Sequence, residues 1–222
     1  MSKATWYTAL TGLVFVIIVI IGVLIAGNEV DATKDSAAKI IETYQDDRDT
    51  LLAGTVLEAI AAAMLVYYGL HLRVAMAASR VAPMILIGTA VIATGLAIDA
   101  SLTFAVISAT DDPDVAIDPS AIQAMQLIYN ADFVPFILGA GLFGTAAGIA
   151  TIQTGVFPKW LGWIAVVLGV VAFAGPVGFF GLIGLVLWIG ATSVMLAINT
   201  KNASAQGTAS ADELPLHSPY EG

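Results

Sequence analysis

The sequence predicts an all-α protein, a polytopic membrane helix bundle with six transmembrane helices and both termini in the cytoplasm. Composition is the first observation: 59% of the 222 residues are hydrophobic and 11% are charged, whereas soluble domains carry about 25% charged residues. The second is a series of apolar runs long enough to cross a bilayer core of about 30 Å. The third is the distribution of Lys and Arg. We therefore expect a multi-pass protein of a bacterial or archaeal plasma membrane.

Residues 1–200 are predicted to form one transmembrane domain, with spans at about 6–26, 50–70, 83–108, 132–151, 160–175 and 177–198. The first span is expected to be a retained anchor and not a cleaved signal peptide, because its apolar run is long and residues 25–27 make a poor cleavage site. The apolar stretch 160–198 would be about 58 Å long as one helix, so it is expected to fold back at Gly175-Pro176. Residues 201–222 are predicted to be a polar, disordered cytoplasmic tail.

Two polar segments separate the early spans. Residues 29–49 carry seven acids and three bases, with apolar residues at helical spacing, which predicts an interfacial helix. An acidic loop ends at Asp118, a plausible N-cap before Pro119 in a short helix through Asn130. Both segments would lie outside, and they are either a cation-attracting rim or simply a solvated surface.

The bases follow the opposite distribution. Five lie on the side that the topology assigns to the cytoplasm, namely Lys3, Arg73, Arg80, Lys159 and Lys201, against three on the other side. Because Lys and Arg of short loops concentrate in the cytoplasm, this bias sets the orientation of both termini.

The sequence lacks the residues that several kinds of cofactor binding and catalysis require. The chain has no Cys and two His, His71 and His217, which leaves no thiolate or paired imidazoles for a metal or haem. Motifs of serine hydrolases, zinc proteases and P-loop proteins are absent, and no lysine lies in mid-span to form a retinal Schiff base. We expect a protein that is not an enzyme, with no cofactor, no metal and no nucleic-acid partner.

Three acids are the candidate proton or cation site. Glu58 and Asp99 lie in apolar spans, about 12 and 14 Å below the outer ends of those spans, and Asp132 lies at the outer mouth of the fourth. Ionised carboxylates are costly at membrane depth, so these side chains are expected to face the bundle interior or a wet cavity. Alternatively, each acid is a neutral or water-bridged group that hydrogen-bonds helices together.

Small residues and aromatic residues predict how the helices sit. Small residues at four-residue spacing predict helix-packing surfaces at Gly54, Ala140, Gly144 and Gly148. Aromatic residues and a lysine near the ends of predicted spans are expected to be interfacial anchors, namely Trp6, Lys159, Trp160 and Trp163.

Residues 154–163, Thr-Gly-Val-Phe-Pro-Lys-Trp-Leu-Gly-Trp, precede an apolar run with Gly169 and Trp188. This pattern resembles the WLGW hairpin before the fifth span of an uncharacterised six-span integral membrane protein family, a domain of unknown function common in actinobacteria. Residues 44–48 resemble the family's Tyr-rich stretch ending in Arg before the second span, and residues 130–132 lie where an Asn/Leu/Asp motif often precedes the fourth. The resemblance covers most of residues 6–198. It implies six helices and no known activity.

Three functions remain open. The first is a non-enzymatic accessory or scaffold bundle that embeds in the lipid bilayer and associates with itself or with a membrane-protein partner. The second is a small proton- or cation-linked transporter or channel that uses the intramembrane carboxylates. The third is an enzyme acting on lipid or a membrane peptide. Transport predicts an outward cavity that reaches Glu58 and Asp99, whereas a scaffold predicts a closed bundle without a continuous polar path.

Overall fold

A computed structural model describes residues 5–25, 33–111, 118–131, 133–174 and 177–212, without the side chains of residues 5, 6 and 203–212. Within these ranges all regular structure is helical: α1 Thr5–Ala9, α2 Thr11–Ile25, α3 Ala37–Asp46, α4 Arg48–Ala75, α5 Ala82–Asp111, α6 Pro119–Ala131, α7 Phe133–Thr154, α8 Lys159–Ala172 and α9 Gly178–Asp212. The predicted turn at Gly175-Pro176, the candidate Asp132 and residues 213–222 lie outside the described residues.

In the part of the chain that the structure describes, five helical segments are long and apolar enough to cross a membrane: Tyr7–Ile25, Arg48–Ala75, Ala82–Asp111, Pro119–Thr154 and Gly178–Asn202. Large apolar side chains cover their outer surfaces, and Leu24 and Phe180 are 77% and 69% exposed. Such a surface suits lipid better than water. The structure therefore confirms an α-helical bundle compatible with a multi-pass membrane protein.

Two elements differ in length from the predicted spans and tail. The fifth predicted span corresponds to α8, whose 14 residues extend about 21 Å, less than the hydrocarbon thickness. The predicted disordered tail begins at residue 201, whereas α9 continues to Asp212. Four alanines lie between residues 203 and 211, and alanine has the highest helix propensity.

The long helices form a ring. Along it, α4 packs on α5, α5 on α7, α7 on α8 and α8 on α9, and α2 contacts both α4 and α9. The end of the ring that carries Arg73, Arg80 and Lys159 is called the basic end. There the Ser79 hydroxyl donates to Gln153 Oε1 at 2.6 Å, which joins the α4–α5 turn to the end of α7. Gly155 follows α7 with φ +69°, a left-handed conformation that glycine adopts freely.

Close backbone approach holds α7 against its neighbours. A Cβ atom added to Gly148 would lie 2.5 Å from Gly162 O on α8, and one added to Gly144 would lie 2.9 Å from Gly169 Cα. Ala140, on the same helix, is 2% exposed and belongs to the main apolar core. Small residues permit this approach because helix association in lipid depends on packing.

Aromatic side chains fill the interior of the basic end. The Phe143 ring lies 6.4 Å from that of Tyr68 and 5.9 Å from that of Trp188, between ring centroids. The hydroxyls of Tyr68 and Thr192 are 2.6 Å apart, and Trp188 Nε1 donates to Leu161 O at 3.0 Å. The polar groups of Tyr68, Thr192 and Trp188 are thus paired, which reduces the penalty of placing them in an apolar core.

Ser193 compensates for a break in the first predicted span. That span is interrupted at Leu10, between α1 and α2. The Ser193 hydroxyl donates to Ala9 O at 2.6 Å and accepts from Leu13 N at 3.0 Å. Since a break leaves backbone groups without intrahelical partners, this one side chain supplies both a donor and an acceptor.

At the opposite end, called the acidic end, α3 and α6 cover the ends of α4 and α5. Ile40 and Tyr44 of α3 form a second apolar cluster with Val106 and Ile107 of α5 and Ile122 of α6. The segment predicted as an interfacial helix therefore packs as α3. The predicted cap of α6 is also present, because Asp118 Oδ1 accepts from Ser120 N at 2.8 Å.

Alanine substitution distinguishes packed from open glycines. Gly148→Ala is expected to destabilise the protein by about 1–3 kcal/mol, because its methyl group must displace the backbone of α8. Gly54→Ala, where a Cβ atom would meet no atom within 4 Å, is the matched control and is expected to be neutral or stabilising by up to about 1 kcal/mol. Unfolding in mixed micelles measures both, and equal effects would contradict the packing.

Candidate functional site

The register of α4 against α5 sets the depth of the two intramembrane acids. Near one end Gly69 packs directly on the Thr89 side chain, and at the other Arg48 pairs with Asp111. Between these contacts the helices run antiparallel, so Glu58 and Asp99 differ in depth by one or two residues, about 3 Å at most. Their predicted similar depth thus follows from the helix packing.

The acids lie on different faces. Glu58 is three helical turns from Gly69, so it lies on the face of α4 that contacts α5. Asp99 is three turns from Gly88, whose neighbour is the backbone of Phe143 on α7. Asp99 therefore faces α7 and the covering helices α3 and α6. The two carboxylates thus lie at a similar depth but on faces that point to different neighbouring helices.

Glu58 lies on the wall of a partly open cavity of about 770 Å³ at the acidic end. The C-terminal half of α2 supplies an aliphatic wall that includes Ile18, Val19 and Val23. Facing it, α4 contributes Gly54 and Glu58, and the polar side chains of α3 and α6 lie above, namely Thr43, Tyr44, Gln126, Tyr129 and Asn130. The cavity therefore has one apolar side and one polar side.

The cavity closes towards the basic end. Ala61 is the deepest lining residue of α4, and the next residues on that face, Leu65, Tyr68 and Leu72, are fully buried in the main core. Apolar and aromatic side chains fill the interior from there on. Within the described residues the cavity thus reaches only part of the way along the bundle.

Tyr44 connects the cavity to Asp99. Its hydroxyl donates to Gln126 Oε1 at 3.0 Å, and Gln126 Nε2 donates to Asn130 Oδ1 at 3.3 Å. Burial, the larger cause, and the negative charge of Asp99 raise the pKa of the Tyr44 phenol from 10.0 to about 12, while hydrogen bonding with Thr103 opposes this. Thr103 lies one turn after Asp99 and also lines the cavity. Asp99 therefore lies beside two lining residues.

The charged residues of the lining have one sign. Asp47 and Glu58 are acids, and the described lining residues include no Lys, Arg or His. Acids in a low-dielectric cleft attract cations and disfavour anions. No group of three or more His, Asp or Glu that would suit a metal ion occurs in the described part of the chain. The chemistry therefore favours a proton or a cation held by a single carboxylate.

The remaining predicted residues fall in different places. Gly54 was expected in a helix contact, but it faces open cavity space, because small-residue spacing does not show whether a partner helix is present. Lys159 starts α8 at the basic end, and Trp160 and Trp163 are each 61% exposed. The side chain of Trp6 lies outside the described residues. Sequence reasoning did not single out Gln126, which only the fold brings to Tyr44.

No protein-family model, no curated protein and no solved structure matches the chain. The resemblance to an actinobacterial six-span family therefore stays a prediction, and the site is interpreted from its own geometry.

The pKa of Tyr44 tests the position of Asp99. Asp99→Asn is expected to lower this pKa while leaving it above 10, since burial still disfavours the phenolate. Absorbance of tyrosinate against pH measures the change, with Tyr44→Phe to identify the signal. Asp118→Asn, an exposed acid on the loop before α6, is the control. An unchanged titration of Tyr44 in Asp99→Asn would show that Asp99 does not lie close to Tyr44.

The sign of the effect on stability follows from the raised pKa. The unfolded chain loses the Tyr44 proton near pH 10 and the folded protein near pH 12. The contribution of Tyr44 to folding is therefore fully present below pH 10 and is lost as the pH rises towards 12.

Proposed function

We propose that the protein is a six-span plasma-membrane bundle with both termini cytoplasmic, a non-enzymatic accessory protein that binds a protonated or cationic ligand at Glu58. The observation that carries this proposal is the cavity at the acidic end, with Glu58 on its wall and a closed core beneath it. A binding protein needs access from one side only. The closed core distinguishes it from an open channel.

Charge and packing support the proposed topology. The basic end gathers Arg73, Arg80 and Lys159, which favours placing that end in the cytoplasm. α8 contacts α7 along one side and α9 along the other, which supports counting it as one of six spans despite its length. The acidic end, and the cavity with it, then lies on the outer side of the membrane.

Thiol labelling tests the outward cavity, and the chain offers a clean background because it has no Cys. Thr55→Cys on the cavity wall is expected to react in intact cells with a membrane-impermeant maleimide. Thr89→Cys, the same substitution at a residue with 0% exposure, is the matched control and is expected not to react. Labelling of Thr55→Cys only after the cells are permeabilised would reverse the topology, and no labelling at all would contradict the cavity.

Transport is the second candidate, favoured by the shared depth of Glu58 and Asp99. A transporter of this design would have to open the core below Ala61 to pass its ligand to the basic end. A binding protein would not.

Proton or monovalent-cation flux into liposomes distinguishes the two candidates. If the protein binds its ligand without transporting it, the wild type is expected to give no flux above that of empty liposomes. Flux that Glu58→Gln and Asp99→Asn abolish, but that Glu42→Gln on the exposed face of α3 retains, would instead establish transport. The three variants each remove one negative charge, and unfolding midpoints confirm that each is folded.

A further inference from the structure

We infer that the cavity takes an organic cation with an apolar body, such as a substituted ammonium, with its charge at Glu58 and its apolar part against α2. This inference rests on the proposed function and names the chemical class of the ligand.

The size of the cavity favours an organic molecule over a bare ion as its occupant. The cavity measures about 770 Å³, within the roughly 300–1,000 Å³ of sites for small organic molecules. A proton or sodium ion would leave nearly all of this space to water. An organic molecule fills it.

The two sides of the cavity specify the two parts of the ligand. Ile18, Val19 and Val23 of α2 offer an aliphatic surface that gains free energy when it is removed from water. The opposite side offers the carboxylate of Glu58 and the hydroxyl-bearing rings of Tyr44 and Tyr129. Carboxylates and aromatic rings are the groups with which proteins bind substituted ammonium ions. Among the described lining residues an anion would face the acids Asp47 and Glu58 and no base, and a neutral hydrocarbon would leave the polar side desolvated.

Glycines keep the space open. α2 and α4 carry two pairs of glycines, and at Gly12 and Gly69 an added Cβ atom would collide with Tyr68 and Thr89 respectively. At Gly22 and Gly54, which line the cavity, an added Cβ atom would meet nothing within 4 Å. The same two helices thus use glycine for contact near the basic end and for volume at the cavity.

Binding of benzyltrimethylammonium to the full protein in zwitterionic nanodiscs tests this inference by calorimetry. Wild type is expected to bind it saturably, and benzenesulfonate, an aromatic anion of similar size, is expected not to bind. Glu58→Gln is expected to weaken binding about tenfold or more, because the charge-assisted contact is lost. Glu42→Gln removes the same charge outside the cavity and is expected to bind like wild type.

Substitutions that fill the cavity give a second, independent test of the inference. Gly54→Leu and Gly22→Leu each place a side chain in the open space, from opposite walls. Each is expected to abolish binding and to have an unfolding midpoint equal to that of wild type or above it. Saturable binding that survives both Leu variants, or that benzenesulfonate shares, would overturn the inference.

The outcomes separate this inference from the proposed function. If Thr55→Cys is labelled from outside but wild type does not bind benzyltrimethylammonium, the cavity stands and the ligand class is wrong. A phospholipid that co-purifies with wild type and is lost in Gly54→Leu would likewise replace the organic cation as the occupant. If Thr55→Cys is not labelled from outside, the proposed function fails as well.

Discussion

The antiparallel register of α4 and α5 is the constraint on which the site depends. Two contacts fix it, Gly69 against Thr89 within the bundle and Arg48 with Asp111 at the acidic end. A slip of one residue would rotate each helix by about 100° and carry Glu58 away from the cavity wall. Because Gly69 admits no larger side chain without moving Thr89, the geometry of the cavity is set by a contact about three turns away.

One half of the bundle is filled by side chains and the other half holds the open cavity, and this division follows from residue size. Towards the basic end Phe143, Tyr68 and Trp188 fill the ring and every polar group in that aromatic cluster has a partner. Towards the acidic end the inward positions of α2 and α4 carry Gly22 and Gly54, and the space is left open. A carboxylate is tolerable in the second half because solvent or a ligand can reach it.

Local pattern was sufficient for most helices and insufficient for the site. The start of α6 at Pro119 and the extent of α5 were predictable, because caps, proline and apolar length act over a few residues. The cavity was not, since Tyr44 and Gln126 meet across 82 positions of the chain. Gly54 shows the same limit: its spacing from Glu58 and Ala62 is that of a packing face, and only the position of α2 decides that no helix covers it.

The two acids of the lining lie at different depths in the cavity. Asp47 precedes α4 at the acidic end and Glu58 lies three turns further in on the same face, about 16 Å deeper. In the proposed function, a cation that arrives from the acidic end meets Asp47 before it loses water, so long-range attraction acts first. Deeper in, the aliphatic wall of α2 replaces solvent on one side of the ligand and strengthens its attraction to Glu58 on the other. The apolar wall and the carboxylate therefore act on the same ligand, and each makes the other more effective.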